Sequence, residues 1–332
     1  LKHTHSHQWP ILQWRSRTLS PAAVGWWALS INIFAASTYG AFAKTLTNAL
    51  SPQALLFFSE TLTALFILFT YGAIPTLREL WRIPRKQLLP LFVVGIFSGF
   101  IAPLLWFTGV HHTSAVNATL FSNAEMIFLI GLAVLLLKER ITRIHVLSIS
   151  IIGLGILVIA LQGFTQNIQL QYGDFLIVLA SLGFGIGSVT YRKYFHHIDP
   201  HIMLFVRSLI GISGFFLLSP FVSQPLIAQV QVFPLHSLPI LIGFALISRF
   251  LNAFSFYTAL DRLPVSTVSL ASNLTIICAT AFSAWFLKES LYNYHFVGGL
   301  LIVLGTVLLE IVGTHQTKKH LKLHLHGRPH RA

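Results

Sequence analysis

Acidic residues are scarce in this chain: nine Asp and Glu occur in 332 residues, and charged residues of both signs make up only 9%. A water-soluble domain carries about 25% charged residues, so the polar surface needed to cover a soluble body is missing. The single cysteine, Cys278, excludes an intrachain disulfide and leaves the redox compartment open. No G-x-x-x-x-G-K-[ST] loop is present, which removes that route to ATP-driven work. Gly183, Gly185 and Gly187 are not a dinucleotide fingerprint, because they lie inside an apolar run with no strand before them. The basic, His-bearing first 20 residues lack the short apolar core of a cleavable leader.

Apolar residues are plentiful, at 55%. They fall in ten runs, each long enough to cross a hydrocarbon core of about 30 Å as a helix of about 20 residues. The runs predict helices 1 to 10 over 24–46, 52–74, 88–109, 114–137, 142–162, 172–194, 200–222, 237–260, 264–287 and 291–313. Ser51-Pro52, Asp199-Pro200 and Leu263-Pro264 mark helix starts, since proline in a first turn loses no hydrogen bond. A formal charge of +13 could signal nucleic acid. Here the Lys and Arg sit in tails and short loops, where a polytopic protein meets anionic lipid, so no nucleic acid is expected.

Residues Trp106 to Gly155 are written out again, without a gap, from Phe256 to Gly305. Lys138-Glu139 recurs as Lys288-Glu289, Ser122-Asn123 as Ser272-Asn273, Thr108 as Thr258 and His145 as His295. Apolar composition explains Leu-for-Ile matches but not Lys-Glu, Ser-Asn and His in one register. One unit is therefore present twice. Five helices per unit put the copies in opposite orientations, and the loop charges agree. Arg140 and Arg143 of the first copy are Ser290 and Asn293 in the second. Arg78, Arg82, Arg85 and Lys86 follow helix 2, Arg192 and Lys193 end helix 6, and Arg262 follows helix 8. The loops of the other side carry only Lys288. The positive-inside rule then places both termini in the cytoplasm, with the chain in a bacterial inner membrane. The expected fold is an all-α integral membrane protein of ten transmembrane helices in two inverted five-helix repeats. Its parts are an arm (1–23), the first repeat (24–162), a connecting loop (163–171), the second repeat (172–313) and a basic, His-rich tail (314–332).

Ionisable residues inside hydrocarbon are functional markers, because each is costly unless it faces a cavity or a partner. Glu125 lies in the middle of helix 4 beside Ser122 and Asn123. Arg249 lies in the middle of helix 8, followed by Asn252, and Glu60 is two turns into helix 2. The expected substrate site comprises Glu125, Arg249, Asn123, Asn252, Asn273, Trp106 and Tyr257. It joins one acid, one guanidinium suited to a carboxylate or phosphate, amides and an aromatic wall. Glu125, then Glu60, are the proton-coupling candidates, since burial disfavours an ionised carboxylate. Lys44 offers Glu60 a structural pair, and Arg207 is shallow enough to snorkel to the interface. Gly95/Gly99 and Gly183/Gly187 have the spacing of closely packed membrane helices. His145 and His295 are expected as helix-start partners of Glu139 and Glu289.

Two other readings carry weight. His3, His5, His7, His315, His320, His324, His326 and His330 decorate the tails and would suit a metal-ion-related transporter. No Asp/His constellation lines the helices, so no metal site and no cofactor are expected. Gly211-Ile212-Ser213-Gly214 would suit an intramembrane serine hydrolase, but Ser213 has no histidine base at its depth. The chain is not expected to be an enzyme.

The five-plus-five pattern, Leu136-Leu137-Lys138-Glu139-Arg140 with Thr142, and Phe286-Leu287-Lys288-Glu289 resemble the EamA-like members of the drug/metabolite transporter superfamily. Lys44, Ser51-Pro52 and Arg207 after Asp199-Pro200 are weaker shared features. Glu125 falls where many members have an acidic residue ahead of a helix 4 proline. Met126, and Ile276 in the second copy, replace that proline, which removes the usual cause of a kink. The resemblance implies a carrier of small metabolites. The expectation is a secondary transporter of small organic solutes, amino-acid-like or otherwise amphipathic. Its site lies near the midplane between the repeats, with alternating access and a coupling proton. Partners are the solute, the lipid bilayer and that proton, with a homodimer left open.

Overall fold

The computed structural model describes residues 20–138, 142–162, 171–195, 198–222 and 225–326, with side chains except at 265, 266, 269, 270 and beyond 309. Every regular element among them is helical. Helix 1 covers 21–47 as Pro21–Ser37 and Tyr39–Thr47. Helices 2 to 8 are Pro52–Tyr71, Arg85–His111, Ala115–Leu137, Arg143–Ala160, Tyr172–Tyr194, Pro200–Phe221 and Leu235–Leu260. Helix 9 covers 265–287 as Val265–Ser272 and Leu274–Leu287, and helix 10 is Asn293–His326. Helices 2 to 8 are each long and apolar enough to cross a membrane, with mean hydropathy of 1.6–2.3. Helices 1 and 9 reach that length only when their two halves are joined. Trp27, Phe34, Phe69 and Trp285 each turn more than half of their surface outward. Such a greasy exterior suits a body solvated by lipid.

Local chemistry explains the helix ends. Ser20 and Ser51 accept hydrogen bonds from Ala23 N and Ala54 N at 3.2 and 3.3 Å, ahead of Pro21 and Pro52. These caps satisfy first-turn donors that would otherwise be orphaned. Helices 4 and 9 end on Lys138 and Lys288, both left-handed, with φ of 57° and 56°. The two lysines are repeat equivalents, so the same stop is used twice.

The sequence repeat reappears as geometry. Helix 3 packs on helix 6 as helix 8 packs on helix 1, while helices 2 and 5 meet their own counterparts, helices 7 and 10. Between helices 5 and 10, Gly155 faces the Gly298 carbonyl and Ile302, and Gly305 faces the Ser148 carbonyl and Ile152. In the 150-residue register Ser148, Ile152 and Gly155 correspond to Gly298, Ile302 and Gly305. One contact is thus made twice about a pseudo-two-fold axis. Two π-helical stretches, Ile96–Ile101 in helix 3 and Phe244–Leu251 in helix 8, are also equivalents. The glycine pairs serve packing: Gly99 faces the Arg207 carbonyl on helix 7, and Gly187 faces Ser98 Oγ on helix 3.

Successive helices alternate in direction, so helices 1, 3, 5, 7 and 9 all leave from one face, here the starting face. At the far face, the second half of helix 9 packs on the first half of helix 4 and on the second half of helix 1. Towards the starting face, the second half of helix 4 packs on helices 5 and 6, and the first half of helix 9 packs chiefly on helix 10. Helices 4 and 9 thus meet across the repeats at the far face, while at the starting face the repeats are joined by Ala28 and Leu29 of helix 1 on Ala259, Leu263 and Val268.

A Cβ at position 155 would lie 2.6 Å from the Gly298 carbonyl oxygen, whereas Gly131 has nothing within 4 Å. Overpacking of that kind costs about 1–3 kcal/mol. Gly155→Ala should lower the thermal unfolding midpoint in detergent, and Gly131→Ala should leave it unchanged or raise it slightly. Equal midpoints for the two variants would remove the helix 5–helix 10 contact as a determinant of stability.

Candidate functional site

A cavity of about 260 Å³ lies at mid-depth where helices 1, 3, 4 and 9 meet. Helix 4 is interrupted beside it, at Ser122 and Asn123, although no proline is present. Both side chains bond back onto their own helix: Ser122 Oγ donates to the Ala118 carbonyl at 2.7 Å, and Asn123 Nδ2 to the Thr119 carbonyl at 3.0 Å. Such back-bonding competes with the helical ladder and bends it. The backbone tightens accordingly, with Asn123 N donating to the Leu120 carbonyl and Met126 N to the Asn123 carbonyl. Helix 9 is interrupted at the equivalent Asn273. The Ser-Asn pairs thus replace the missing proline.

Among the described residues Glu125 is the only charged one that lines the cavity. Ser188 Oγ of helix 6 donates to its Oε1 at 3.3 Å. The opposite surface is aromatic. Trp106 Nε1 donates to Ser122 Oγ at 2.8 Å, which fixes the indole, and Tyr39 stands edge-on to that indole at 5.2 Å. Thr119, Asn123 and Thr275 add polar groups, while Met126, Ile276 and Ala279 are apolar. Of the expected site residues, the structure brings Glu125, Asn123 and Trp106 together here.

Arg249 belongs to another cluster. Its Nη2 donates to Glu60 Oε1, and its Nε donates to Thr63 Oγ1 at 3.2 Å. Ser208 Oγ donates to the other carboxylate oxygen of Glu60 at 2.7 Å. Both charged groups are buried, at 9% and 1% exposure. The expected pairing of Glu60 with Lys44 is corrected: Lys44 Nζ instead donates to the Val110 and His111 carbonyls at 2.9 and 3.0 Å. The reason is depth, since Lys44 sits in the last turn of helix 1, level with the carbonyl end of helix 3. Asn252 accepts from Asn32 Nδ2 at 2.6 Å, and Asn273 is buried at the helix 9 break. Tyr257 faces Tyr71 and His201 across a separate crevice. None of these four residues lines the cavity.

The Lys-Glu signature has a different role from the one expected. Glu289 accepts from Ala115 N and Val116 N at 2.8 and 2.9 Å, so it caps helix 4 from across the repeat boundary. A carboxylate there satisfies orphan donors and meets the positive end of the helix dipole. His145 and His295 cap their own helices, accepting at Nδ1 from Thr142 N and Tyr292 N. Glu139 lies outside the described residues. Sequence reasoning missed Tyr39 and Thr119, which carry no charge to mark them, and passed over Arg207. Arg207 Nε is buried with no hydrogen-bond partner. Ser213 lies exposed on helix 7, away from the cavity. Among the described residues no group of His, Cys, Asp and Glu could hold a metal ion.

The family described as the EamA-like transporter family matches residues 23–161 and again 171–311. An uncharacterized transporter of Methanothermobacter thermautotrophicus is 27% identical over 69% of this chain and 66% of its own length. The uncharacterized transporter sll1164 of Synechocystis is 26% identical, covering 70% and 68%. YyaM of Bacillus subtilis, also an uncharacterized transporter, is 23% identical over 67% and 73%. The chain thus spans about two thirds of the length of these relatives. A solved crystal structure superimposes with a TM-score of 0.60 at 16% identity, covering 89% of this chain and 98% of that one, which shows a shared fold.

Removing one partner of a buried ion pair leaves the other charge stranded and costs about 3–5 kcal/mol. Arg249→Met and Glu60→Leu should each be strongly destabilising in chemical unfolding, and the double variant should regain most of the loss. Strictly additive losses would show that the two residues are not coupled.

Proposed function

We propose that this chain, which belongs to the EamA-like transporter family, is a secondary carrier of small amino-acid-like solutes that bind in the mid-depth cavity and exchange with a proton on Glu125. Membership in the family makes it a multi-pass membrane transporter. The finer reading is carried by one observation: a cavity of about 260 Å³, at the junction of the repeats, holds a single carboxylate against an aromatic wall. An ammonium group is the complement of Glu125, and the Trp106 and Tyr39 faces favour the same cation. The apolar side of the cavity suits a carbon side chain. Arg249, saturated by Glu60 and Thr63, is not free to take the solute.

Coupling follows from competition at one acid. Glu125 meets Ser188 of helix 6 and shares the cavity lining with Tyr39 of helix 1. Among the described residues no lysine or histidine lines the cavity. Proton and ammonium would therefore compete for one carboxylate, and occupancy by one would exclude the other. The contact of helix 9 on helix 4 at the far face supports one end of an alternating-access cycle. Rocking of one repeat against the other would open the far face, where release of the Glu289 cap on helix 4 is a required step. The density of Arg and Lys on the starting face supports a cytoplasmic location for it, in a bacterial inner membrane.

Two experiments test this reading. Glu125→Gln keeps the shape of the acid but cannot titrate, so in proteoliposomes it should abolish accumulation driven by a pH gradient. Accumulation at the wild-type level would exclude Glu125 as the coupling group and turn attention to Glu60. For orientation, Lys86 lies in the first turn of helix 3 and Val232 in the helix 7–8 connection, and both are exposed. On a Cys278→Ala background, Lys86→Cys and Val232→Cys should react with an impermeant thiol reagent from opposite sides, Lys86→Cys from the cytoplasm.

A further inference from the structure

The corner between helices 3 and 4 is held by side chains of the second repeat. Asp174, in the first turn of helix 6, accepts from Thr113 Oγ1 at 2.5 Å. Glu289, just beyond helix 9, accepts from Ala115 N and Val116 N at 2.8 and 2.9 Å. His295, in the first turn of helix 10, meets Asn117 Oδ1 through Nε2 at 3.1 Å. Its Nδ1 accepts from Tyr292 N, so Nε2 carries the ring proton and donates to the amide oxygen. Asn117 Nδ2 in turn donates to Thr113 Oγ1 at 3.4 Å, which completes a chain from His295 to Asp174. The opposite corner is built differently. Leu263 and Val24 stand in the repeat register for Thr113 and Asp174, and there Leu263 packs on Gly25.

The grip sits at the far end of the cavity. The first half of helix 4 starts at Ala115 and joins the cavity lining at Thr119, one turn on. The second half of helix 9 joins the lining at Thr275, Ile276 and Ala279 and ends at Leu287, two residues before Glu289. Glu289 therefore ties the far end of one cavity wall to the far end of the other. Gly40 of helix 1 lies where the walls converge. A Cβ there would sit 3.1 Å from Thr119 Oγ1, 3.6 Å from the Ala115 carbonyl oxygen and 3.7 Å from Ser283 Oγ. The repeat shows which contact can change. Helix 3 on helix 6 has its counterpart in helix 8 on helix 1, whereas the far-face contact of helices 4 and 9 has no comparable counterpart at the starting face. When inverted repeats exchange their packings, the contact made by only one copy is the one that must break.

We infer that Glu289 and His295 are the latch of a far gate, holding helix 4 against helix 9 and setting how often the cavity opens to that side. This rests on reading the cavity as a station of an alternating-access path, but on neither the solute nor Glu125. Bonds from backbone amides to a carboxylate are stronger than a neutral imidazole–amide bond, so Glu289 carries the larger part of the grip. Lys44 of helix 1 holds the Val110 and His111 carbonyls, which keeps the corner with the first repeat when the latch releases.

The test reads access to the cavity and needs no solute. On a Cys278→Ala background, Thr275→Cys places a thiol in the cavity lining. A membrane-impermeant methanethiosulfonate is then added to sealed vesicles of each orientation. Glu289→Gln should raise the labelling rate from the far side about ten-fold, and Asn117→Leu, which removes the acceptor for His295, about three-fold. Labelling from the starting side should rise in neither. Unchanged far-side labelling in Glu289→Gln overturns the latch, while labelling of the reporter from the starting side would still support the path. An Asn117→Leu variant without effect removes His295 from it. Faster labelling from both sides, with a lower thermal unfolding midpoint, would make the contacts merely structural and also overturns the inference. A reporter that labels from neither side in any variant removes the path and the latch together.

Discussion

In hydrocarbon an ionised side chain has no water to turn to, so every interior charge must find its partner within the protein or in a ligand. The described helices meet this constraint in three ways. Glu60 and Arg249 neutralise each other between helices 2 and 8, with Thr63 and Ser208 completing the set. Lys44 ends on free carbonyls of helix 3, and Glu289 on free amides of helix 4. Asp174 accepts from Thr113 Oγ1, and Glu125 accepts from one serine, Ser188.

The inverted repeat supplies the frame for these contacts. Two copies of one unit, related by a pseudo-two-fold axis, share contacts such as Gly155 on Gly298 and its equivalent, Gly305 on Ser148. A body built this way has two related packings, one closed at each face, and elements that can take either arrangement are what a switching protein requires. Symmetry is broken at the cavity and at the buried ion pair. Arg249 of helix 8 corresponds in the repeat register to Gly99 of helix 3, and Glu125 to Thr275. The charged cluster and the cavity acid therefore occur once each, off the axis.

The interrupted helices show how local chemistry serves the site. Ser122 and Asn123 bend helix 4 through side-chain bonds to their own backbone and so turn Glu125 into the cavity, with no proline to do so. Trp106 then bonds Ser122, which ties the aromatic wall to the bend. Capping residues that look catalytic in isolation, His145 and His295, are used to begin helices.

Much of this was legible in the residues themselves. Ten apolar runs, a gapless repeat and an exchange of loop charge determined the all-helical, two-repeat membrane fold, because hydrocarbon permits few ways to satisfy a backbone. Glu125, Asn123 and Trp106, which line one cavity, were legible as candidates because polar or aromatic groups at mid-depth demand an explanation. Which charge pairs with which was decided only in three dimensions. Lys44, Glu60, Arg207 and Arg249 lie on different helices, and a chain read in one dimension shows their depth but not the faces they share. Rotation of each helix about its own axis placed Arg249 against Glu60 and Glu125 in the cavity lining.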